Sequence, residues 1–103
     1  MAFDADGKIL AMSFETLGAF GAYESQFQAS ITTAYHFCLL SCGYDIAAIH
    51  THVKGVYTHT TPVDAYRGAG PPEATYVLER LADEAARRLG LQPDEIRRRN
   101  FVM

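Results

Sequence analysis

A glycine- and proline-rich loop, residues 58–74, constrains this chain most, because it joins a strand-like run to the clearest amphipathic helix. It reads Thr-His-Thr-Thr-Pro-Val-Asp-Ala-Tyr-Arg-Gly-Ala-Gly-Pro-Pro-Glu-Ala. Glycines let a backbone turn sharply and let a ligand approach main-chain N–H groups. A helix that begins just after such a loop adds unpaired N–H groups and a partial positive charge. Residues 67–70 are therefore a candidate site for an anionic or metal–oxo group, and the alternative is an ordinary turn.

Two helices are predicted after this loop. An apolar stripe predicts the first helix, over residues 73–89, with Gly90 as its stop. Pro93 at a first helical position predicts the second, over residues 93–100. Two i,i+4 ion pairs are expected on the first helix, Asp83–Arg87 and Glu84–Arg88. The stripe consists of Ala74, Val77, Leu78, Leu81, Ala85 and Leu89.

Strand patterns dominate the region before the loop. Residues 1–28 are predicted to form a hairpin and a strand, with a turn at residues 4–7 and most of the partner strand missing. A second strand is predicted over residues 46–58, in which His50 and His52 share one face and Thr51 lies on the other. Gly55 interrupts the alternation and predicts a bulge. The cofactor-loop candidate then spans residues 59–72.

A further helix is predicted over residues 30–43, capped by Ser30 and stopped by Gly43. It is apolar nearly all round, which predicts burial on several sides. Cys38 and Cys42 lie within it, and we expect both to be reduced core residues, because Cβ atoms at this spacing are too far apart for a disulfide. The mixture of strands and helices predicts an α+β fold.

Composition and charge exclude several classes of protein. A hydrophobic content of 49% with 20% charged residues is typical of a folded globular protein. The net charge is −3. The C-terminal third contains six arginines and six acidic residues, so it is locally neutral and no basic stripe for nucleic acid is expected. The most apolar segment is too short to span a bilayer, and residues 1–4 do not resemble a signal peptide. We therefore expect a cytoplasmic protein without membrane or nucleic-acid partners.

Side-chain metal ligands and catalytic groups are not evident. His50, His52 and His59 could be brought together, but their spacing is loose and no cysteine or carboxylate completes a zinc set. We interpret them as solvent-facing or hydrogen-bonded. No catalytic triad can be assigned, because order along the chain says nothing about proximity. Glu73 is most simply a residue that complements the helix dipole.

Several strings carry a family resemblance. Thr-Thr-Pro-Val-Asp-Ala-Tyr-Arg-Gly-Ala-Gly is followed by Pro-Glu-Ala and, after the helix, by Pro-Asp-Glu-Ile-Arg-Arg-Arg-Asn. With the upstream strings at residues 3–10 and 18–23, this resembles the molybdenum-binding large subunit of molybdenum hydroxylases. That family includes xanthine dehydrogenase, aldehyde oxidase and carbon monoxide dehydrogenase. The resemblance covers essentially the whole chain and implies an internal piece of a larger molybdopterin-binding domain.

The resemblance also implies a cofactor and partners. Arg67, Gly68, Ala69 and Gly70 are expected to line a molybdenum–pterin cofactor, with the metal held by the cofactor and not by a side chain. Iron–sulfur and FAD groups are expected on partner subunits or domains. The family's catalytic glutamate matches no stretch here, so the chain alone is expected to be an inactive part of an oxidoreductase. The alternatives are a stand-alone binding module and a structural remnant without catalytic role.

Differences between this sequence and the family pattern limit the classes of substrate that are expected. Copper-containing carbon monoxide dehydrogenases have a cysteine at the position of Gly68. Purine hydroxylases have a phenylalanine at Ala69 and an arginine at Tyr35, which makes these two positions the expected substrate-pocket residues. The remaining expectation is a small-molecule substrate that is an aldehyde or an N-heterocycle. Pro71, where the family usually has Arg or Gly, stiffens the loop and removes an N–H donor.

Overall fold

The structure is a computed structural model that describes residues 1–35 and 38–103. Strands and helices are mixed along the chain, so the predicted α+β fold is confirmed. The elements are β1 (Ala2–Phe3), β2 (Ile9–Gly21), a π-helix (Ser30–Tyr35), β3 (Ile49–Tyr57), α1 (Pro71–Leu89) and α2 (Pro93–Asn100).

The described strands form a sheet in the order β1-β2-β3. β1 pairs antiparallel with the start of β2, across a turn in which the Asp4 carboxylate accepts hydrogen bonds from the N–H groups of Asp6 and Lys8. β2 and β3 are parallel, in register from Met12 opposite Ile49. Parallel strands need a long crossover, and residues 22–48 provide it. This parallel pairing was not predicted.

The sheet has its irregularity in β2 and not at Gly55. The register shifts between Ala19 and Gly21, so Phe20 is the extra residue, while Gly55 pairs regularly with Gly18. The predicted bulge at Gly55 is therefore wrong. A Cβ atom on Gly55 would lie 2.2 Å from Cζ of Phe20, so this glycine leaves room for the ring. Phe20 also meets Tyr57 edge-on, with ring centroids 5.5 Å apart.

The segment predicted as a buried helix over residues 30–43 differs from that prediction. It begins as the π-helix, and residues 38–43 form turns; its residues 36 and 37 lie outside the described residues. Cys38 and Cys42 are exposed, so their assignment to the core is wrong. For Cys42 the physical reason is a change of backbone direction, because this residue has a φ of +44° and its N–H donates to the carbonyl of Leu39. Leu40 is fully buried.

The core lies between the sheet and the inner face of α1. α1 begins at Pro71, two residues before the predicted start, and ends at Leu89, followed by the C-cap Gly90, whose φ is +69°. Asn100, at the end of α2, is fully buried: its Oδ1 accepts from the N–H of Ile9 at 2.7 Å, and its Nδ2 donates to the carbonyls of Gly7 and Ile96. The main apolar cluster consists of Ile9, Met12, Leu40, Tyr44, Ala74 and Leu78.

Ion pairs connect the two α-helices. Arg97 on α2 donates to Glu79 at 2.7 Å and to Asp83 at 2.8 Å on α1. Because Asp83 is directed toward Arg97, the predicted pair Asp83–Arg87 is wrong; Glu84 binds Arg87 and, as predicted, Arg88. Each of the six arginines in the C-terminal third has a carboxylate oxygen within 3.9 Å: Arg80, Arg87, Arg88, Arg97, Arg98 and Arg99.

Candidate functional site

The first half of the loop after β3 is attached to the end of β2. The strand's last residues therefore determine where the loop starts and in which direction it runs. Three backbone hydrogen bonds make the attachment: Thr58 N–H to Gly21 O (2.9 Å), Ala22 N–H to Thr60 O (3.0 Å) and Val63 N–H to Phe20 O (3.3 Å).

The second half of the loop is a tight turn around Gly68. The N–H of Ala69 donates to the carbonyl of Tyr66 at 3.1 Å, which closes a four-residue turn. Gly68, its third residue, has a φ of +81°, the conformation that glycine supplies at this position of type II turns. A Cβ atom on Gly68 would find no described atom within 4 Å. The turn therefore presents bare backbone to open space.

The start of α1 offers fewer N–H donors than the sequence pattern suggested. Gly70, with a φ of +93°, is the N-cap, and its carbonyl accepts from the N–H of Ala74. Pro71 and Pro72 occupy the first helical positions and have no N–H groups. Glu73 adds an acidic side chain to the first turn. An anion bound here would therefore depend on the loop and its arginine rather than on the helix N-terminus.

Arg67 is the unpaired arginine of the described chain. The other six arginines all pair with carboxylates, whereas Arg67 has neither an ion pair nor a hydrogen bond to any described residue. Its side chain is exposed, in the turn whose third residue is Gly68. Guanidinium groups recognise oxyanions through several donors in a fixed planar arrangement. An exposed, unpaired guanidinium beside open backbone is suited to bind such a group.

Tyr35 and Ala69 are not joined by a hydrogen bond within the described residues. Tyr35 ends the π-helix and is 51% exposed, while Ala69 is half-buried in the loop. A cleft of about 310 Å³ lies between β2, the π-helix and the first turns of α1. Among the described residues, those that line it come from these elements and not from the loop: Phe14, Thr16, Leu17, Gly18, Ile31, Glu73, Tyr76 and Val77.

The histidines considered as metal ligands do not form a cluster. His50 and His52 are exposed on β3, and His59 is exposed at the beginning of the loop. Within residues 1–35 and 38–103, no three His, Cys, Asp or Glu side chains form a group that could hold a metal ion. The same residues contain no helix that is both long and apolar enough to cross a bilayer.

Gly21 belongs to this site although the sequence pattern did not single it out. Its φ is +87°, and a Cβ atom there would lie 2.4 Å from Cα of Pro62 in the loop. An isolated glycine inside a strand pattern signals a bulge or a close approach of backbone. That signal was available in residues 18–22, but the identity of the approaching segment was not.

The family model of the molybdopterin cofactor-binding domain matches residues 1–101, and the chain belongs to this family. The family predicted from the loop motif is therefore confirmed. The site described above accordingly lies within a domain class that binds a molybdenum–pterin cofactor.

Relatives and solved structures agree with this assignment. The chain is 36% identical over 104 residues to the carbon monoxide dehydrogenase large chain of Hydrogenophaga pseudoflava, covering 99% of the chain and 13% of that protein. It matches quinoline 2-oxidoreductase from Pseudomonas putida 86 with a TM-score of 0.86 and 38% identity, covering 99% of the chain and 13% of that structure. It matches the aldehyde oxidoreductase from Desulfovibrio desulfuricans with a TM-score of 0.89 and 36% identity, covering 97% and 11%. The chain thus spans about an eighth of the length of these relatives.

Proposed function

We propose that this chain is part of a molybdenum-dependent hydroxylase or dehydrogenase that oxidises an aldehyde or an N-heterocycle with water as the oxygen source. The chain by itself is inactive, because it contains no match to the family's catalytic glutamate. The observation that carries the proposal is the unpaired guanidinium of Arg67 next to the open turn at Gly68.

The loop fits the molybdenum–pterin group chemically. Beyond the guanidinium of Arg67, the N–H groups of Arg67, Gly68 and Gly70 have no hydrogen-bond partner in the described part of the chain. The open space at Gly68 lets an oxygen or sulfur ligand approach these donors. When bound, the cofactor supplies the two-electron redox chemistry of the oxidation. The role of Arg67 and Gly70 is then to orient it, and that of Gly68 and Ala69 is to leave room.

The small residues of the loop support the substrate class. Gly68 has no thiolate to hold copper, and both cysteines lie on the 38–43 turns. Ala69 leaves space where a purine hydroxylase places a phenylalanine, and Tyr35 has no positive charge for a purine oxygen. Two of the solved structures that the chain resembles, a quinoline 2-oxidoreductase and an aldehyde oxidoreductase, are consistent with this choice.

The proposal includes partners and a compartment. We propose an iron–sulfur subunit and an FAD subunit, or equivalent domains, as the route by which electrons leave, and the cytoplasm as the location. The large-chain designation of the carbon monoxide dehydrogenase relative supports further subunits.

The test compares the full-length protein containing this sequence with the chain alone. Both are purified from a host that makes the cofactor, and molybdenum content and dye reduction with benzaldehyde or quinoline are measured. We expect near-stoichiometric molybdenum and turnover in the full-length protein only. Arg67→Gln should lower both, whereas Arg98→Gln, at an exposed arginine on α2, is the matched control and should lower neither.

Two results would contradict the proposal. Stoichiometric molybdenum in the washed chain alone would show that it is a self-sufficient binding module. A full-length protein that binds no molybdenum would favour the structural remnant.

A further inference from the structure

We propose that Gly21 is a positioning residue for residues 67–70. Because Gly21 has no side chain, the first half of the loop, residues 58–63, can pack against the end of β2, and this packing places Arg67 and Gly68. The inference that this placement serves a cofactor rests on the proposed function. The placement itself rests on contacts within this chain.

The first argument is steric. A Cβ atom at Gly21 would lie 2.4 Å from Cα of Pro62, 2.6 Å from its nitrogen and 2.6 Å from the carbonyl oxygen of Thr61. All three atoms belong to the backbone, so no rotation of a side chain can relieve the contact. Gly21 also has a φ of +87°, which an L side chain rarely adopts. Any other residue at this position must move the loop.

The second argument is the pattern of hydrogen bonds around Gly21. Phe20, Gly21 and Ala22 each bond to the loop, at Val63, Thr58 and Thr60. The bulge at Phe20 redirects the strand just before this point, so that three successive residues face the loop. Gly21 thus sits at the centre of the attachment.

The third argument is the short path from this contact to the turn. Residues 63–66 connect Pro62 to Arg67, and within them the N–H of Ala65 donates to its neighbour Asp64 at 2.7 Å. No described backbone hydrogen bond holds residues 64–68 to another element. The Asp64 carboxylate also lies beside the side chain of Ser25, and the N–H of Ala65 together with this side chain lowers the pKa of Asp64. Beyond Asp64, a shift at Pro62 reaches Arg67 through residues 65 and 66, which no described backbone hydrogen bond ties to another element.

The test uses limited trypsin digestion of the cofactor-free full-length protein, with cleavage after the exposed Arg67 as the local readout. We expect Gly21→Ala to speed this cleavage about tenfold, because local opening exposes the loop. Cleavage after Arg98 inside α2 reports global unfolding and should change far less. Equal acceleration at both sites, or no acceleration at Arg67, would overturn the proposal.

Two glycine variants serve as controls. Gly90 has a comparable φ of +69°, but a Cβ atom there would meet open space. Gly90→Ala therefore reports the effect of backbone strain without the steric contact with Pro62. Gly43→Ala has neither strain nor neighbours. Both should leave cleavage after Arg67 unchanged relative to cleavage after Arg98. An effect of Gly90→Ala equal to that of Gly21→Ala would contradict the proposal.

If Gly21→Ala does not fold, Ala22→Pro replaces it, because it removes the N–H donor to Thr60 and adds no Cβ atom at Gly21. We then expect a roughly threefold faster cleavage after Arg67, and unchanged cleavage would overturn the inference.

The molybdenum content of the cofactor-loaded protein distinguishes a failure of this proposal from a failure of the proposed function. Faster cleavage with normal molybdenum supports the positioning role and contradicts the cofactor role of the loop. If cleavage is unchanged in the Gly21 or Ala22 variant and molybdenum is lost only in Arg67→Gln, the result supports the cofactor role of the loop and contradicts the positioning role of Gly21.

Discussion

At the scale of single residues, the glycines of this chain serve different purposes. Gly21 and Gly55 leave room for other parts of the protein, Pro62 and the ring of Phe20, whereas Gly68 faces open space. Gly68 is therefore not explained by packing within the described chain. Its positive φ explains the turn, and the open space beside Arg67 is what a ligand would use.

The first prediction concerns Gly68→Val in the full-length protein. A β-branched residue at a φ of +81° costs about 1–2 kcal/mol of stability, but its Cβ atom has no described atom within 4 Å, so the fold should persist. The branched side chain would occupy the space through which the cofactor approaches the backbone. We expect turnover to be abolished with a small change in melting temperature. Normal turnover with retained molybdenum would contradict this.

The second prediction concerns the buried Asn100. Replacing it by Ala leaves the N–H of Ile9 and the carbonyl of Gly7 without their partner in a water-excluded site. We expect a loss of about 2–4 kcal/mol in the free energy of unfolding, measured by denaturant titration. Gln92→Ala, at the exposed N-cap of α2 whose side chain makes no cap hydrogen bond, is the control and should cost less than about 0.5 kcal/mol.

At the scale of elements, α1, α2 and the turn before β3 are joined by one polar network. Arg97 bonds to Glu79 and Asp83, and the hydroxyl of Tyr44 donates to Glu79 at 2.8 Å. Burial lowers the pKa of Arg97, but the hydrogen bonds to Asp83 and Glu79 outweigh it, so the pKa is raised and the charge is retained. The network holds the two helices together behind the loop.

The third prediction follows from Tyr44. Burial, and then the hydrogen bond to Glu79, raise the pKa of Tyr44 from 10.0 to about 12. Because the pKa is higher in the folded state, the protonated tyrosine stabilises the fold fully below pH 10, and this contribution is lost as the pH rises toward 12. Its size is about 2–3 kcal/mol, from two pKa units.

The measurement is the difference in free energy of unfolding between wild type and Tyr44→Phe from pH 7 to pH 11. We expect this difference to be constant up to about pH 9.5 and to shift in favour of Tyr44→Phe above it. Tyr66→Phe, at a tyrosine that is 88% exposed, is measured alongside as the matched control. A pH-independent difference for Tyr44→Phe would be evidence against the raised pKa.

At the scale of the whole molecule, the chain is extended for its size. Its dimensions are 46 × 21 × 21 Å and its radius of gyration is 15.5 Å, where about 13 Å is typical of a compact domain of this length. The accessible surface of 6793 Å² likewise exceeds the roughly 5,800 Å² expected from the mass. Exposed large side chains include Leu10, Leu17, Tyr23, Phe27, Tyr57 and Tyr76.

The fourth prediction is that the isolated chain self-associates. Exposed apolar side chains and the outer edge of β3 both favour contacts between copies. Sedimentation velocity at several concentrations should show oligomers or aggregates, while the residues of α1 keep local helical order by NMR. A compact monomer with a sharp cooperative melt would contradict this and would favour a stand-alone module.

Features that depend on neighbours along the chain were predictable from the amino-acid sequence alone. The spacing of apolar residues with Gly90 and Pro93 indicated the two α-helices, and the loop motif with its glycines indicated both the turn at Gly68 and the family. Turn chemistry and helical periodicity operate over a few residues, so they can be read without the fold.

Only the tertiary structure decided which distant segments meet. Three contacts join residues that are distant in sequence: the parallel pairing of β2 with β3, the ion pair of Asp83 with Arg97, and the contact of Gly21 with Pro62. The same holds for Cys42, whose exposure follows from a backbone turn that its apolar neighbours in the sequence did not reveal. Packing selects among many partners that are locally equivalent, and that selection is a property of the whole fold, because each such contact depends on the positions of all the others.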